Sequence, residues 1–290
     1  MINTPPKVIG VIAHAGKEGA APVVRVVVSE LRRRNIPFFL EKMTASLIGE
    51  LSSHDESYLA EHSDLLLVLG GDGSILRALH RSGGHIRPIF GINIGSLGFL
   101  TCLGSNEYLR AVESVVTGNY LLSPRSLLDV EISGAEGVIP LERALNDVTI
   151  SRGERSQLVK LQISVDGASL TEYHADGLIV ATPTGSTAYS LAAGGPILMP
   201  DSGALVITPI CPHVLSNRSL VISDKSEVVI SSAVNQHVFV TIDGRTPHAL
   251  SPSQKVILRL SPQTLPLAMM PESTFPDILR QKLKWTGSNI

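Results

Sequence analysis

The chain has few cysteines, few aromatic residues and no long apolar or basic run, and each shortage excludes a class of protein. Its 290 residues contain two cysteines, Cys102 and Cys211, which belong to no metal-spaced or redox pair. Aromatic residues make up 4% of the chain and the formal net charge is −2. Because nucleic acid usually requires a basic face, we expect no nucleic-acid partner.

The same shortages apply to membrane and secretory signals. No apolar run approaches the ~20 residues that span a bilayer, and the amino terminus lacks the charged and then apolar pattern of a signal peptide. We therefore expect a cytoplasmic protein that does not contact membranes.

Two familiar nucleotide-binding motifs are also missing. A Walker loop needs Lys followed by Ser or Thr after its second glycine, and neither Gly-Lys-Ser nor Gly-Lys-Thr occurs. The dinucleotide fingerprint needs a third glycine three residues after Gly73, where Leu76 stands. Ordinary P-loop kinases and Rossmann dehydrogenases are therefore disfavoured.

The chain does contain enough apolar sequence, 43%, to bury sizeable cores. Up to residue 118, apolar runs alternate with helical patterns, which is typical of a parallel sheet with helices on both faces. The predicted strands are 8–13, 36–40, 65–69 and 88–92, and the predicted helices are 21–34, 74–81 and 107–116.

After residue 118, short β-like runs separated by turns predict a β-sandwich. These runs are 127–132, 158–165, 178–181, 205–208, 227–230, 237–242 and 255–260. A helix predicted at 275–285 carries an apolar stripe and is expected to pack on the first domain. The predicted organisation is an α/β nucleotide-binding domain at 1–118, joined by the terminal segment 272–290, and a β-rich domain at 119–271.

Two glycine turns follow apolar strands, and both suggest contact with an anionic ligand. In the run 176–197, a strand leads into a glycine turn and then into small residues that suit a helix. Backbone N–H groups at such a turn favour phosphate, and the hydroxyls of Thr184, Ser186 and Thr187 are expected to add donors. The second turn, 70–74, carries Asp72 where a simple phosphate site would avoid a carboxylate.

Asp72 therefore indicates chemistry at this turn. A carboxylate among anion-favouring donors would repel phosphate unless it meets a divalent metal or accepts a proton from an attacking hydroxyl. Both interpretations point to phosphoryl transfer. The structural alternative is that Asp72 closes a tight turn or caps a helix that starts near Ser74. Because two strands each end in a glycine turn, we prefer phosphoryl transfer.

Four motifs together resemble the signature set of the NAD kinases. They are Gly-Gly-Asp-Gly-Ser at 70–74, Gly-Ile-Asn-Ile-Gly-Ser-Leu-Gly-Phe-Leu at 91–100, Asn146-Asp147, and the run 176–197, and the segment 212–218 is also family-like. The first motif alone is shared with lipid kinases and phosphofructokinases. The resemblance implies a Rossmann-like amino-terminal domain, a β-sandwich carboxy-terminal domain, and a homodimer or homotetramer. It also implies ATP-dependent phosphorylation of the adenosine-ribose 2′-hydroxyl of NAD, giving NADP.

The resemblance further assigns roles to individual residues. Asp72 matches the general base, and Gly73 matches the glycine that brings backbone close to the nucleotide. Asn146 and Asp147 match the pair that holds the adenine and ribose end of NAD, and Asp176 matches the acidic contact on the nicotinamide side. The segment matching the one that wraps the adenosine consists of Thr187, Ala188, Tyr189, Ser190, Leu191 and Ala192.

Four further positions are left more open. His174 lies two residues before Asp176 on an extended segment, so both face one side; a metal pair would lack a third ligand, and the resemblance implies a substrate contact instead. Arg77 either reaches a phosphate or lies on a solvated helix face. Arg245 stands where many family members carry glutamine, and Gln157 occupies a variable position, so the contact of each with substrate stays open.

No residue of this set is an evident protein ligand for metal, so we expect magnesium to arrive with the ATP phosphates. Two rival functions remain. A lipid or sugar kinase with the Gly-Gly-Asp-Gly turn would explain Asp72 but would leave the run 176–197 without a purpose. A non-catalytic NAD-binding regulator would keep the dinucleotide contacts and would not need a base.

Overall fold

The computed structural model describes residues 4–95, 98–134, 137–153, 157–214, 216–233 and 236–285. The first elements in chain order are β1 (Ile9–Ala13), α1 (Ala20–Arg33), β2 (Phe38–Leu40), α2 (Lys42–Ser46), α3 (Glu56–His62), β3 (Leu65–Gly70), α4 (Asp72–His80), β4 (Ile89–Asn93) and α5 (Tyr108–Thr117). They are followed by β5 (Leu121–Gly134), β6 (Gly137–Ala144), β7 (Asp147–Arg152), β8 (Val159–Val165), β9 (Ala168–Ala175), β10 (Gly177–Ala181), α6 (Tyr189–Ala192), β11 (Ala204–Ile210), β12 (Leu220–Ser223), β13 (Val228–Ser232), β14 (Val238–Ile242), β15 (His248–Leu250), β16 (Lys255–Met269) and α7 (Phe275–Leu283).

The chain divides into two compact units. The first consists of Met1–Pro124 and Leu265–Ile290, and the second of Arg125–Thr264. The last five residues of the predicted terminal segment, 286–290, lie outside the described residues. Among the residues that the structure does describe, no helix is both long and apolar enough to cross a membrane.

The first unit is built on a parallel sheet in the order β2, β1, β3, β4 and the end of β16. One row of neighbours across it runs from Val11 through Leu67 and Phe90 to Ala268. Every residue of β1, β3 and β4 is buried. Continuous burial is expected when helices cover both faces of a parallel sheet, so the α/β prediction is confirmed.

Helices lie on both faces of this sheet. On one face, Val11 and Leu67 belong to a core with α1 and α5, to which α1 contributes Val23, Val24, Val27, Val28 and Leu31. On the other face, a Cβ at Gly10 would lie 3.2 Å from the Cβ of Leu59 in α3, and one at Gly91 would lie 2.7 Å from the Cδ1 of Ile75 in α4. The glycines therefore let α3 and α4 pack closely on the sheet.

The second unit contains two antiparallel sheets. One has the order β16, β13, β8, β9, with β5 beside β16 and β6 beside β5, and the other has the order β12, β11, β10, β7, β14, β15. Their inner faces share one apolar core, to which Ile163 contributes from the first sheet and Val180 and Ile207 contribute from the second. Two packed antiparallel sheets form a β-sandwich, as predicted.

The sequence analysis missed several elements, and the reasons are physical. β7 begins directly at Asp147, and an Asn-Asp pair is also typical of a turn. The first half of β9 is exposed, and Glu172 and His174 interrupt the apolar pattern in its second half. β6, β12, β15 and the short helices α2 and α3 were also missed. These elements depend on tertiary neighbours more than on local pattern.

Candidate functional site

Asp72 is the first residue of α4, which begins two residues before the predicted start. Its carboxylate is half-buried and accepts two backbone hydrogen bonds, from the N–H of Phe99 to Oδ2 (2.8 Å) and from the N–H of Leu100 to Oδ1 (3.0 Å). These bonds hold the side chain in one orientation. Each carboxylate oxygen keeps a second lone pair that can accept a proton from a hydroxyl group.

Gly98 makes room for this carboxylate. A Cβ at position 98 would lie 1.8 Å from Oδ1 of Asp72, so any larger residue would displace the aspartate. The N–H of Gly98 also donates to the buried Oγ1 of Thr101 (2.9 Å). The motif 91–100 drew attention to this glycine, but only the folded chain shows that it faces Asp72. Ser96 and Leu97 of the same motif lie outside the described residues.

Two other predicted residues of α4 lie in different surroundings. Gly73 is exposed, and a Cβ there would meet no protein atom within 4 Å, so the space beside it is open to a ligand. Arg77 is engaged by the protein instead. Its Nη2 donates to the carbonyl of Ala13 (3.1 Å), and its Nε lies 3.5 Å from Oε1 of the buried Glu56.

The second unit contains a cavity of about 450 Å³ that collects predicted residues from separate segments. Asn146 and Asp147 line one part of it, and Ala188 and Tyr189 line another. The remaining lining residues, which sequence reasoning missed, are Thr149, Ser151, Thr241, Asp243 and Gly244. A signal for two of them existed, because residues 147, 149 and 151 alternate along β7 and so share one face of the strand.

Asp243 shapes the wall of this cavity. Its Oδ1 accepts hydrogen bonds from the N–H groups of Asn146 (2.8 Å) and Asp147 (3.0 Å), and its Oδ2 accepts one from Leu145 (2.8 Å). Three backbone donors hold this carboxylate in one orientation. Asp243 therefore positions the Asn146-Asp147 pair, a role that the sequence analysis did not assign.

Asp147 is the cavity residue whose carboxylate has few hydrogen-bond donors to stabilise a negative charge. It is 5% exposed, and the Oγ1 of Thr149 donates to it at a long 3.4 Å. Burial, assisted by the neighbouring negative charge of Asp243, raises the pKa of the Asp147 carboxyl to about 7. A carboxyl that titrates near neutrality inside a polar cavity is typical of a functional site.

The turn before Tyr189 packs directly behind the Asn146-Asp147 pair. A Cβ at Gly185 would lie 1.9 Å from the carbonyl oxygen of Asn146. The Oγ1 of Thr182 donates to the carbonyl of Leu145 (2.6 Å), which ties the turn to the same backbone. The run 176–197 and the Asn146-Asp147 pair therefore form one local structure.

This turn uses two of the three hydroxyls that were expected to line a phosphate site. Ser186 donates to the carbonyl of Pro183 (2.6 Å), and Thr187 donates to that of Thr184 (3.1 Å), so both hydroxyls stabilise the turn itself. The helix that follows, α6, has only four residues. The phosphate-donor role of Ser186 and Thr187 therefore stays a prediction, while the buried Oγ1 of Thr184 has no hydrogen-bond partner among the described residues.

Comparison with known proteins decides the family. The sequence matches the ATP-NAD kinase N-terminal domain over residues 9–120 and the ATP-NAD kinase C-terminal domain over residues 145–270. This chain belongs to the NAD kinase family. The NAD kinase of Syntrophotalea carbinolica is 40% identical over 96% of this chain and 99% of its own length, and that of Solibacter usitatus is 37% identical over 96% and 98%.

Solved structures agree with this family. Yeast NADH kinase, crystallised with NADH, superposes with a TM-score of 0.89 at 26% sequence identity. The superposition covers 99% of this chain and 90% of the yeast chain. An NAD kinase from Archaeoglobus fulgidus, in complex with ATP, superposes with a TM-score of 0.75 over 97% of this chain and 100% of its own. At 23% identity the second likeness supports the fold alone.

Within this NAD kinase fold, the rest of the segment 187–192 is divided between cavity and core. Tyr189 is 46% exposed, so its ring is available at the cavity. Ser190 is fully buried and shares a hydrogen bond with the hydroxyl of Thr208 (2.9 Å), which makes it part of the packing. Leu191 is half-buried and Ala192 is exposed.

The remaining family positions are occupied by ion pairs or lie at the surface. His174 Nε2 lies 2.7 Å from Oε1 of Glu172. Asp176 Oδ1 accepts a hydrogen bond from Nε of Arg152 (2.7 Å), so this carboxylate is paired with a cation of the protein. Gln157 is exposed, and Arg245 forms an ion pair with Glu142.

The part of the chain that the structure describes offers no clear site for a metal ion or a reactive thiol. No group of three or more His, Cys, Asp or Glu residues is arranged there to hold a metal ion. Burial raises the pKa of the Cys102 thiol to about 11, as expected for an inert thiol, while Cys211 is exposed. A larger cavity of about 700 Å³ between β2 and residues 50–54 contains none of the predicted site residues.

Proposed function

We propose that this protein is an ATP-dependent NAD kinase that phosphorylates the adenosine-ribose 2′-hydroxyl of NAD to give NADP. The observation that carries the proposal is the cavity that gathers Asn146, Asp147, Ala188 and Tyr189 from two distant segments. A lipid or sugar kinase needs no such convergence. A regulator that only binds NAD does not need the fixed carboxylate of Asp72.

In this proposal the cavity binds the adenosine end of NAD. The carboxylate of Asp147 accepts hydrogen bonds and the amide of Asn146 accepts and donates them, with the ribose and adenine as partners. The exposed ring of Tyr189 stacks on the base. Thr187, Ala188, Ser190, Leu191 and Ala192 supply the surrounding segment. Ser190 does so by holding that segment in place rather than by contact.

Asp72 acts as the general base. As the 2′-oxygen forms its bond to the γ-phosphorus of ATP, the bond from that phosphorus to the leaving oxygen of ADP breaks, and the hydroxyl proton passes to the carboxylate of Asp72. The open space beside Gly73 admits the nucleotide. Magnesium enters with the ATP phosphates as part of the substrate, since carboxylates of the described residues do not cluster around this turn.

The outer positions have supporting roles. Asp176, with its partner Arg152, and His174, with its partner Glu172, face the nicotinamide side, while Arg77, Gln157 and Arg245 contribute charge or polarity at the edges. We propose the same functional division as in the sequence analysis, with residues 1–118 and 272–290 carrying the base and residues 119–271 carrying the NAD cavity. A cytoplasmic homodimer or homotetramer is part of the proposal.

The test is direct. Purified protein is incubated with ATP, magnesium and NAD, and NADP is measured by an NADP-specific coupled enzyme. NADH replaces NAD in a parallel reaction, and a diacylglycerol and a hexose are offered in two others. Formation of NADP supports the proposal. Phosphorylation of the lipid or sugar alone, or NAD binding without turnover, rejects it in favour of the corresponding rival function.

A further inference from the structure

Lys17 lies at the same edge of the first unit as Asp72, although no motif pointed to it. It belongs to the loop between β1 and α1 and is half-buried. Its Nζ is 3.9 Å from the position that a Cβ at Gly71 would take and 3.2 Å from that at Gly95. Because these glycines follow the strands β3 and β4, the ammonium lies at the carboxyl edge of the parallel sheet, where ligands of such sheets bind.

The ammonium of Lys17 is not paired with a carboxylate of the described residues. It forms no ion pair and donates no hydrogen bond there, whereas Arg77 of α4 is paired with Glu56. An ammonium without a carboxylate partner attracts an anionic ligand. No carboxylate of the described residues pairs with Lys17, so its ammonium is available to an anionic ligand.

Asn93 gives a second, independent indication. It is the last residue of β4, is fully buried, and neither its Oδ1 nor its Nδ2 has a hydrogen-bond partner in the described part of the chain. Its Oδ1 lies 3.7 Å from the Cβ position of Gly71, so the amide is aimed at the same glycine as Lys17. Buried polar groups are nearly always satisfied, and an exception at a strand end marks a place that a ligand completes.

The start of α4 adds a third element. The first N–H groups of a helix have no partner within the helix, and its dipole favours negative charge at that end. α4 begins at Asp72, directly after Gly71. Around Gly71 there are therefore an ammonium, a buried amide and a helix start, which together suit phosphate oxygens. Asp72 on the same turn would repel a phosphate, and Lys17 supplies the opposite charge that offsets this repulsion.

We propose that Lys17 binds the terminal phosphates of the donor nucleotide and stabilises the charge that shifts toward the leaving ADP during transfer. A P-loop lysine does this work in other kinases, and the sequence lacks that motif. Here the lysine comes from the loop after β1 and lies beside the glycine turn, although the two are distant in the chain. This inference rests on the proposed NAD kinase function, but it concerns the donor side of the reaction only.

The test replaces Lys17 by Met, which removes the charge at similar length, and by Arg, which keeps the charge. Lys42→Met is the matched control, because Lys42 is an exposed lysine of the same unit. For Lys17→Met we expect the KM for ATP to rise about tenfold or more while the KM for NAD stays within about twofold. Lys17→Arg should recover most of the loss, and Lys42→Met should match the wild type. Lys17→Gln replaces the Met variant if that protein does not fold.

An unchanged KM for ATP, or an equal rise in both KM values, overturns the inference. If the wild-type protein makes no NADP, the proposed function fails separately, and binding decides the role of Lys17. Inorganic tripolyphosphate is then titrated by calorimetry into the wild-type, Lys17→Met and Lys42→Met proteins. Weaker binding by Lys17→Met alone supports the inference. Equal affinities, or no binding by the wild type, reject it.

Discussion

Asp72 in the first unit and Asp147 in the second are both proposed to contact substrate. Their carboxylates differ in burial and in the number of hydrogen-bond donors. Asp72 is half-buried and receives two backbone hydrogen bonds at 2.8 and 3.0 Å. Asp147 is 5% exposed, and its hydroxyl donor lies 3.4 Å away. Backbone donors that stabilise a charge also fix its position, whereas burial with few donors leaves a carboxyl that changes its protonation near neutral pH.

Asp243 is a third carboxylate, half-buried like Asp72 and supported by backbone donors in the same way. It lies beside Asp147 and receives three backbone N–H groups. Its negative charge in turn adds to the effect of burial on the pKa of Asp147, which rises to about 7. One residue type thus provides a fixed acceptor, a titrating contact and a structural support within the same protein.

The largest effect is expected for Asp72→Asn, which removes the base and keeps the size of the side chain. General-base catalysis typically contributes about 10²–10⁴ in rate, so kcat should fall by that order. NAD affinity, measured by calorimetry, should change little. Turnover near the wild-type level would show that the two backbone bonds hold Asp72 for a structural purpose only.

Gly98→Ala tests the position of the same carboxylate without removing it. The new Cβ would lie 1.8 Å from Oδ1 of Asp72, so the side chain must move and kcat should fall about tenfold or more. Gly104→Ala is the control, because a Cβ there meets no atom within 4 Å. If Gly98→Ala retained full activity, the orientation given by Phe99 and Leu100 would be irrelevant to catalysis.

The pH dependence of NAD binding tests the other side of the comparison. The Asp147 carboxyl has a pKa of about 7, so the fraction ionised rises as the pH increases through neutrality. If the carboxylate accepts hydrogen bonds from the ribose, the KM for NAD should fall about tenfold between about pH 6 and about pH 8 in the wild type. Asp147→Asn should show a flat profile with a higher KM. A variant that retains the wild-type profile would assign the titration to another group.

The same carboxyl should affect stability. Its folded-state pKa lies above the ordinary value of 3.8, so the fold favours the protonated form. The stabilisation is fully present below pH 3.8 and is lost as the pH rises through about 7. In urea unfolding, the wild type should therefore lose more stability between about pH 5 and about pH 8 than Asp147→Asn. An equal loss in both proteins would contradict the shifted pKa.

The smallest effect is expected in the turn behind the cavity. Ser186 accepts a hydrogen bond from the N–H of Leu198 and donates to the carbonyl of Pro183, and it is fully buried. Ser186→Ala leaves a buried donor unpaired, which should reduce the free energy of unfolding by about 1–3 kcal/mol. Ser46→Ala, at an exposed serine, is the control. Loss of ATP affinity without loss of stability would support the phosphate-donor role.

The sequence was informative where local pattern and close spacing determine structure. Apolar runs located β1, β3 and β4, because a strand buried on both faces must be apolar throughout. The motifs located Asp72 and the Asn146-Asp147 pair. The sequence did not reveal that the hydroxyls of Ser186 and Thr187 donate to their own turn, because the residue type alone does not show which acceptor a hydroxyl finds.

The amino-acid sequence by itself determined the two kinds of sheet, the family and the glycine turn that carries Asp72. Only the tertiary structure decided that Gly98 faces Asp72, that Asp243 supports Asn146 and Asp147, and that Lys17 and Asn93 each lie near Gly71. The physical reason is that hydrogen bonding and burial are set by neighbours distant in the chain. Residue type states which contacts a side chain can make, and the fold selects among them.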